Sequence, residues 1–146
     1  MDKLRNVEVD IKDFEQSAGV IFPVDFRTFL SKHNGMVPTK TDFDFLGIDG
    51  EESSLIQSFI PIGSVYSENI KLDYEYLLKE ERIPVGYVPI AYDPFGNFIC
   101  ISLLKSNYGE IWFWDHELED EETNLFYVSK TFTDFLDSLY IEGKLD

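Results

Sequence analysis

The side chains of this chain that could do chemistry are almost all carboxylates. Its 146 residues include 28 Asp and Glu, against two histidines and one cysteine. A pair of carboxylates can act as acid and base in glycoside hydrolysis, but acidic residues are so frequent here that no pair stands out. The sequence also has no phosphate-binding glycine loop, no dinucleotide-binding glycine pattern and no G-x-S-x-G nucleophile motif. These observations predict a protein without enzymatic activity.

Two short patterns resemble the beginning of metal sites without completing them. Asp42-x-Asp44 begins like the calcium loop of an EF-hand, but leucine and serine occupy the fifth and twelfth positions of that loop. His116-Glu117 begins like the zinc motif H-E-x-x-H, but Asp120 stands where the second histidine belongs. Alternation along a strand accounts for the first pattern better than calcium does. We therefore predict no metal site and no cofactor.

The balance of charge restricts the partners of this protein. With 28 acidic and 12 basic residues, the formal net charge is −16 and the isoelectric point is about 4.3. Nucleic acids and anionic membranes carry the same sign of charge, and contacts to phosphates come from Lys and Arg. A basic protein is the partner that this charge favours, because opposite fields speed encounter and suppress wrong partners. The alternative, that the excess carboxylates only keep the protein in solution, stays open.

The densest run of carboxylates follows directly after a stretch that carries both tryptophans. Such a run could form the charged rim of a protein interface, with an aromatic side chain as its anchor. The first candidates for partner binding are Glu117, Glu119, Asp120, Glu121 and Glu122. A second acidic group comprises Asp42, Asp44, Asp49, Glu51 and Glu52. Trp112 is the candidate anchor. The alternative is a solvated loop, with both tryptophans in the core.

Residues 87–116 organise the predicted fold, as three strands with a hairpin turn over residues 93–97. Asp93 can accept backbone hydrogen bonds at the start of that turn, and Gly96 can take the positive φ of a type I turn followed by a bulge. Because apolar residues occupy both faces of these strands, helices are expected to cover one face, and loops or a partner part of the other. Pro89 lacks an N–H, so its strand should be an edge strand or carry a bulge there.

Helical patterns flank this central stretch. A pair of helices is predicted near the N-terminus and a last helix over residues 131–140, each with apolar side chains at helical spacing. Residues 41–48 alternate as in a strand and precede a predicted acidic loop over residues 49–52. A helix is predicted over residues 70–78, before Pro84, although alternate residues from Ile70 to Tyr76 also fit a strand. Together the elements predict one α+β domain over residues 1–146, with a central antiparallel sheet of about five or six strands and flanking helices.

The single cysteine and the N-terminus bear on the cellular compartment. One cysteine allows no internal disulfide, and the position of Cys100 in the middle of a predicted strand indicates a small buried hydrophobic side chain. The first residues contain no apolar run like that of a signal peptide, and no run approaches the ~18 apolar residues that a membrane helix needs. We therefore expect a cytoplasmic protein.

Several short stretches, read in order, carry a family resemblance. They are FPVDFRTFL with HNG (22–30 and 33–35), FIPIG (59–63), VPIA (88–91), GNFICI (96–101), GEIWFWDHE (109–117) and TFTDFL (131–136). Each is weak alone, but their order and spacing resemble those of the SUKH superfamily, which contains a yeast regulator of cell-wall synthesis and many bacterial immunity proteins. Met36 replaces the second glycine that is usual after Asn34-Gly35, a departure that affects the shape of a loop and not the fold.

The resemblance implies a single SUKH-like domain with a central antiparallel sheet and flanking helices. It also implies a non-enzymatic immunity protein, which binds and neutralises a cognate toxin, often a nuclease, of a bacterial polymorphic or contact-dependent toxin system. The motif residues look like turn, cap and core residues, so the family supplies no catalytic residue. The eukaryotic branch implies an alternative, a regulatory or scaffolding module that binds proteins in cell-wall or stress signalling.

Overall fold

The chain folds as the predicted α+β arrangement, with an N-terminal helix pair, a C-terminal helix and a central antiparallel sheet. A computed structural model describes residues 6–118 and 124–142. Their helices and strands, in chain order, are α1 (Val7–Ala18), α2 (Val24–His33), β1 (Asp42–Gly47), β2 (Gly50–Leu55), β3 (Ser58–Phe59), α3 (Ile70–Lys79), β4 (Tyr87–Tyr92), β5 (Phe98–Ser102), β6 (Ile111–Trp114), β7 (Leu125–Ser129) and α4 (Phe132–Ser138). In this part of the chain, the helices are too short or too polar to cross a membrane.

The central sheet has the strand order β3-β4-β5-β6-β7, with antiparallel pairing throughout. Its inner face packs into the main core with the buried side chains of Ile99, Ile101, Ile111 and Phe113. On its outer face a smaller cluster is covered by α3 and the loop after it, and consists of Leu77, Ile83, Cys100 and Trp114. Both faces are therefore apolar, as the strand sequences predicted. The prediction that Cys100 is buried is also confirmed.

The turn between β4 and β5 has the predicted chemistry. The Oδ1 atom of Asp93 accepts the backbone N–H groups of Phe95 and Asn97, each at 2.9 Å. Gly96 has a φ of 95°, in the left-handed region that favours glycine. The pairing of β4 with β5 shifts register between Pro89 and Ala91. Of the two expectations for Pro89 the bulge is therefore right, since β4 lies inside the sheet and not at its edge.

A second sheet consists of β1 and β2 alone, joined by a turn at Ile48 and Asp49. The predicted strand over residues 41–48 is confirmed, but the predicted loop over residues 49–52 is wrong, because Glu51 and Glu52 belong to β2. The sequence of β2, GEESSL, is largely exposed and has no apolar alternation that would have indicated a strand. It pairs along its whole length with β1, whose buried phenylalanines fix the register.

Packed aromatic rings and one ion pair position the helices. Phe26 of α2 meets Phe132 of α4 edge to face, with ring centroids 4.9 Å apart. The Oε2 atom of Glu15 in α1 accepts a guanidinium N–H of Arg27 at 2.8 Å and the backbone N–H of Phe22, also at 2.8 Å. Since Glu15 is buried, these bonds satisfy a carboxylate that would otherwise destabilise the interface between α1 and α2.

Residues 70–78 form a helix rather than a strand. The side chain of Asn69 caps α3 by accepting the N–H of Leu72 at 3.0 Å, a bond that a strand would not offer. Tyr74 and Leu77 then face the interior, and Tyr74 also reaches across the fold, where its hydroxyl accepts the N–H of Gly86 at 2.9 Å. The cap and the burial of Tyr74 and Leu77 therefore favour the helix over the strand.

Candidate partner-binding surface

Three aromatic side chains cross the outer face of the central sheet and remain partly exposed: Tyr87, Trp112 and Tyr127. The centroid of the Trp112 ring lies 6.0 Å from that of Tyr87 and 5.7 Å from that of Tyr127. Both tyrosine rings stand almost perpendicular to the indole, at 87° and 82°. These three residues, the aromatic row, form a line of rings across β4, β6 and β7.

The row follows from strand alternation and from the pairing register. In β6, Ile111 and Phe113 point to the inner core, so Trp112 and Trp114 point outward. Tyr127 of β7 stands directly opposite Trp112. The two tryptophans differ in cover: Trp114 is 1% exposed, whereas Trp112 is only partly buried. The prediction of Trp112 as an interface anchor stays a prediction, and so does the alternative of two core tryptophans, of which Trp114 is fully buried and Trp112 partly.

Two carboxylates that the sequence did not single out border the aromatic row. The Oε1 atom of Glu110 accepts the indole N–H of Trp112 at 3.1 Å. Partial burial, and then the negative charges of Glu110 and Asp134, raise the pKa of Tyr127. Within residues 6–118 and 124–142, neither carboxylate forms an ion pair with a basic side chain. The charge of Glu110 therefore lies beside the indole of Trp112 without a basic partner among the described residues.

Polar contacts hold the other end of the row in place. The side-chain N–H of Asn107 donates to the Tyr87 hydroxyl at 3.0 Å, and the Ser102 hydroxyl in turn donates to the side-chain Oδ1 of Asn107 at 2.5 Å. Ser102 is fully buried in β5, so this chain of bonds fixes the tyrosine ring to the sheet. A ring held in one orientation loses little conformational freedom when a partner binds.

Among the hairpin carboxylates, as we call Asp42, Asp44, Asp49, Glu51 and Glu52, two are occupied by bonds within the fold. Asp42 accepts the Thr41 hydroxyl at 2.7 Å and the N–H of Glu142 at 3.0 Å. Asp44 accepts the Tyr140 hydroxyl at 2.7 Å, and this bond, with burial, raises the pKa of Tyr140 to about 12. Both residues thus help to join the C-terminal segment to β1, which the sequence did not indicate.

The other hairpin carboxylates are exposed and do not share one face. Asp49 lies in the turn, and Glu51 and Glu52 follow in β2. Because Glu51 pairs opposite Leu46, and Glu52 opposite the core residue Phe45, their side chains point to opposite faces of the hairpin. Of the two glutamates, Glu51 is therefore on the same face as Asp44 and Glu52 is on the other.

A groove of about 210 Å³ connects the hairpin to the aromatic row. It lies between β1 and β7 and is lined by Asp44, Phe45, Leu46, Glu51, Tyr127, Val128 and Ser138. Tyr127 belongs both to this groove and to the row, so one continuous surface results. We call it the acidic aromatic face; it consists of Tyr87, Trp112, Tyr127, Glu110, Asp134, Asp44 and Glu51.

The acidic segment after β6 is described only at its start. Glu117 is exposed, and its N–H donates to the Oδ1 atom of Asp115 at 3.0 Å. The neighbouring His116 is tied to the hairpin turn, because Asn97 Oδ1 accepts its backbone N–H at 2.9 Å and lies 2.6 Å from Nδ1 of its ring. The other predicted residues of this segment, Glu119, Asp120, Glu121 and Glu122, lie outside the described residues.

The cleft beside the end of α3 does not gather catalytic groups. A wide opening of about 820 Å³ beside the end of α3 is lined by Leu78, Glu80, Glu81, Arg82, Ile83, Pro84, Val85 and Asn124, a set without a histidine, cysteine or hydroxyl nucleophile. Residues 6–118 and 124–142 contain no cluster of three or more His, Cys, Asp or Glu side chains that could hold a metal ion.

The family motifs account for turns, caps and core contacts in the structure. Asn34 of the HNG motif bonds the backbone of Ile62, Thr131 caps α4 by accepting the N–H of Asp134 at 3.0 Å, and Asn97 bonds His116. These residues are therefore structural, as the resemblance implied. The acidic aromatic face lies only partly within the motifs, which contain Glu110, Trp112 and Asp134 but not Tyr87, Tyr127, Asp44 or Glu51. Its tyrosines, Glu110 and Asp134 were missed because the sequence pattern does not show which side chains from distant segments meet on one surface.

Comparison with known proteins identifies the family. The family model described as SMI1/KNR4 family (SUKH-1) matches residues 7–138. A Bacillus subtilis (strain 168) protein, described as SPbeta prophage-derived uncharacterized protein YokK, is 27% identical over 152 residues, which cover 94% of this chain and 76% of that protein. No solved structure matches the chain. The resemblance seen in the sequence motifs is confirmed, and the chain belongs to the SMI1/KNR4 family (SUKH-1).

Proposed function

We propose that this protein is a non-enzymatic immunity protein, which binds and neutralises a cognate toxin of a bacterial polymorphic or contact-dependent toxin system. The toxin is a basic, nuclease-like domain. Immunity arises because the acidic protein occupies the positively charged groove that the toxin uses to hold nucleic acid. The partner is thus defined by its charge and by the groove that it presents.

The observation that carries the proposal is a net charge of −16 on a chain of the SUKH-1 family. A groove that binds phosphates is built from Lys and Arg, so a carboxylate-rich surface is its electrostatic complement. The acidic aromatic face adds what a specific interface needs besides charge, namely partly exposed Trp and Tyr side chains inside a charged border. The described relative is named as prophage-derived, which fits a bacterial mobile element as the setting of such a protein.

The direct test is protection of cells from the toxin encoded beside this gene. We expect that cells expressing that toxin grow only when this protein is co-expressed, and that the two purified proteins form a complex. Failure of both growth and complex formation, with a toxin shown to be active, would overturn the proposal. Binding to a cell-wall or signalling protein instead would favour a regulatory or scaffolding module.

Matched charge reversals separate the binding face from the general charge of the protein. Glu51→Lys with Asp134→Lys changes the acidic aromatic face, whereas Asp13→Lys with Glu75→Lys changes exposed residues beside the cleft between α1 and α3. Both pairs alter the net charge equally. We expect the first pair to abolish protection and the second to preserve it. Equal effects would indicate that charge acts without a defined face.

A further inference from the structure

The two outward tryptophans of β6 have different cation partners. The guanidinium carbon of Arg82 lies 5.2 Å from the centroid of the Trp114 ring, and Trp114 donates its indole N–H to the Arg82 carbonyl at 3.0 Å. The protein thus covers one indole with its own arginine. Trp112, two residues earlier on the same face, has no such cation among residues 6–118 and 124–142.

We propose that the aromatic row is an arginine-binding site, in which a guanidinium from a basic segment of the protein partner lies against Trp112 between Tyr87 and Tyr127. This inference rests on the proposed function, because it names the side chain through which the toxin would engage the acidic aromatic face.

Ring geometry supports this assignment. Tyr87 and Tyr127 approach Trp112 from strands on opposite sides of β6, and each ring is nearly perpendicular to the indole. The faces of aromatic rings carry negative quadrupole charge, so the partly exposed rings of the row can attract a cation from a partner. The bonds of Asn107 and Glu110 hold two of the three rings before any partner arrives.

The charges around the row favour arginine over the other groups that could cover an aromatic surface. Glu110 accepts only the indole N–H of Trp112 and forms no ion pair within the described residues, and Asp134 likewise has no basic partner there. A guanidinium can stack on an indole and still donate to a neighbouring carboxylate, which the compact, strongly hydrated ammonium of lysine does less well. An apolar side chain would leave the carboxylate of Glu110 poorly solvated, and a phosphate would be repelled.

The test compares the cognate toxin and short peptides as probes of the same site. In the toxin complex, Trp112→Leu and Glu110→Gln should each weaken binding by about tenfold or more. The first substitution removes the indole ring. The second keeps the hydrogen-bond acceptor and removes only the charge. The matched controls are Phe95→Leu, an aromatic residue that is 62% exposed at the tip of the hairpin, and Glu75→Gln on α3. The dissociation constants of both controls for the toxin should stay within about twofold of the wild-type value. Thermal melting by circular dichroism checks that each variant folds.

The peptide arm uses acetylated, amidated Gly-Arg, Gly-Lys and Gly-Leu repeats of equal length, titrated into ¹⁵N-labelled protein. The arginine peptide should shift the indole N–H resonance of Trp112, assigned through Trp112→Phe, more than the lysine peptide does, and the leucine peptide should not shift it. A toxin complex unaffected by Trp112→Leu, or equal shifts with all three peptides, overturns the arginine site and leaves the immunity function standing. If the wild type neither protects cells nor binds toxin, the immunity function fails and the peptide result alone decides the arginine site.

Discussion

The side chain of Asn34 holds the backbone of Ile62 through two hydrogen bonds. Its Oδ1 atom accepts the N–H of Ile62 at 2.8 Å, and its Nδ2 group donates to the Ile62 carbonyl at 3.0 Å. The end of α2 is thereby joined to the segment after β3, across 28 positions of sequence. This relationship gives the asparagine of the HNG motif a physical role, because Ile62 is buried and its backbone groups have little access to water.

Replacing Asn34 with alanine should lower the free energy of unfolding by about 2 kcal/mol, because two backbone groups lose their partners. Urea denaturation followed by circular dichroism measures this difference. The matched control is Gln57→Ala, at an exposed position whose side chain has no partner among the described residues, and it should change stability by less than about 0.5 kcal/mol. Equal effects of the two substitutions would contradict the role of Asn34.

Asp73 should make stability fall as the pH rises. Burial, and then the charge of Glu68, raise the pKa of Asp73 from 3.8 to about 6. Its protonated form is thus favoured in the folded state, so its contribution is complete below about pH 4 and is lost as the pH rises through about 6. Asp73→Asn should therefore be more stable than the wild type at pH 7.5, by about 1 kcal/mol once solvent screening of this partly exposed group is allowed for.

Denaturation of both proteins at pH 4.0 and pH 7.5 checks this expectation, since the difference should nearly vanish at the lower pH. The control is the same substitution in a Glu68→Gln background, where the pKa of Asp73 is lower and the gain should be smaller. A gain of the same size at both pH values would mean that shape, and not charge, explains it.

Cys100 should not react with thiol reagents while the protein is folded. Its side chain is fully buried in β5, and burial raises the pKa of the thiol far above its ordinary value, so the reactive thiolate is absent. Labelling with a chromogenic disulfide reagent should proceed at the rate of unfolding and become fast in denaturant. A cysteine introduced at the exposed position Ser64, in a Cys100→Ala background, should react at once. Rapid native labelling of Cys100 would show that this part of the sheet opens.

Association with the toxin should depend strongly on salt. The net charge of −16 attracts a basic partner over distances comparable to the Debye length, which shrinks as ions are added. We expect the association rate constant to fall by about tenfold or more between about 0.05 and 0.5 M NaCl, with a much smaller change in the dissociation rate constant. Stopped-flow fluorescence measures both. An association rate independent of salt would remove the support that charge gives to the proposed function.

Much of the fold was predictable because local chemistry and tertiary structure agree. The turn over residues 93–97 needs an acceptor at Asp93 and a positive φ at Gly96, and the sequence supplies both. Strand β2 was missed for the opposite reason: its polar sequence has no strand periodicity, and its conformation is imposed by pairing with β1. Only knowledge of the partner strand reveals such an element.

The candidate surface was predictable only in part. Alternation places Trp112 and Trp114 on the same face, but the loop after α3 covers one and leaves the other accessible. Tyr127 joins the row through the pairing of β6 with β7, and the carboxylates of Asp42 and Asp44 are engaged by residues near position 140. These relationships depend on residues far apart in sequence, which composition and periodicity do not encode.

Hydrogen bonds fix the chain on both sides of the acidic segment, at His116 and at Asn124. Asn97 fixes the backbone of His116, and the N–H of Asp115 donates to the Asn124 carbonyl at 3.0 Å, so the chain leaves and re-enters the sheet at defined points. These bonds do not involve the side chains of residues 119–123. We expect substitutions at Glu119, Asp120, Glu121 and Glu122 to change which toxin the proposed immunity protein binds without unfolding the domain.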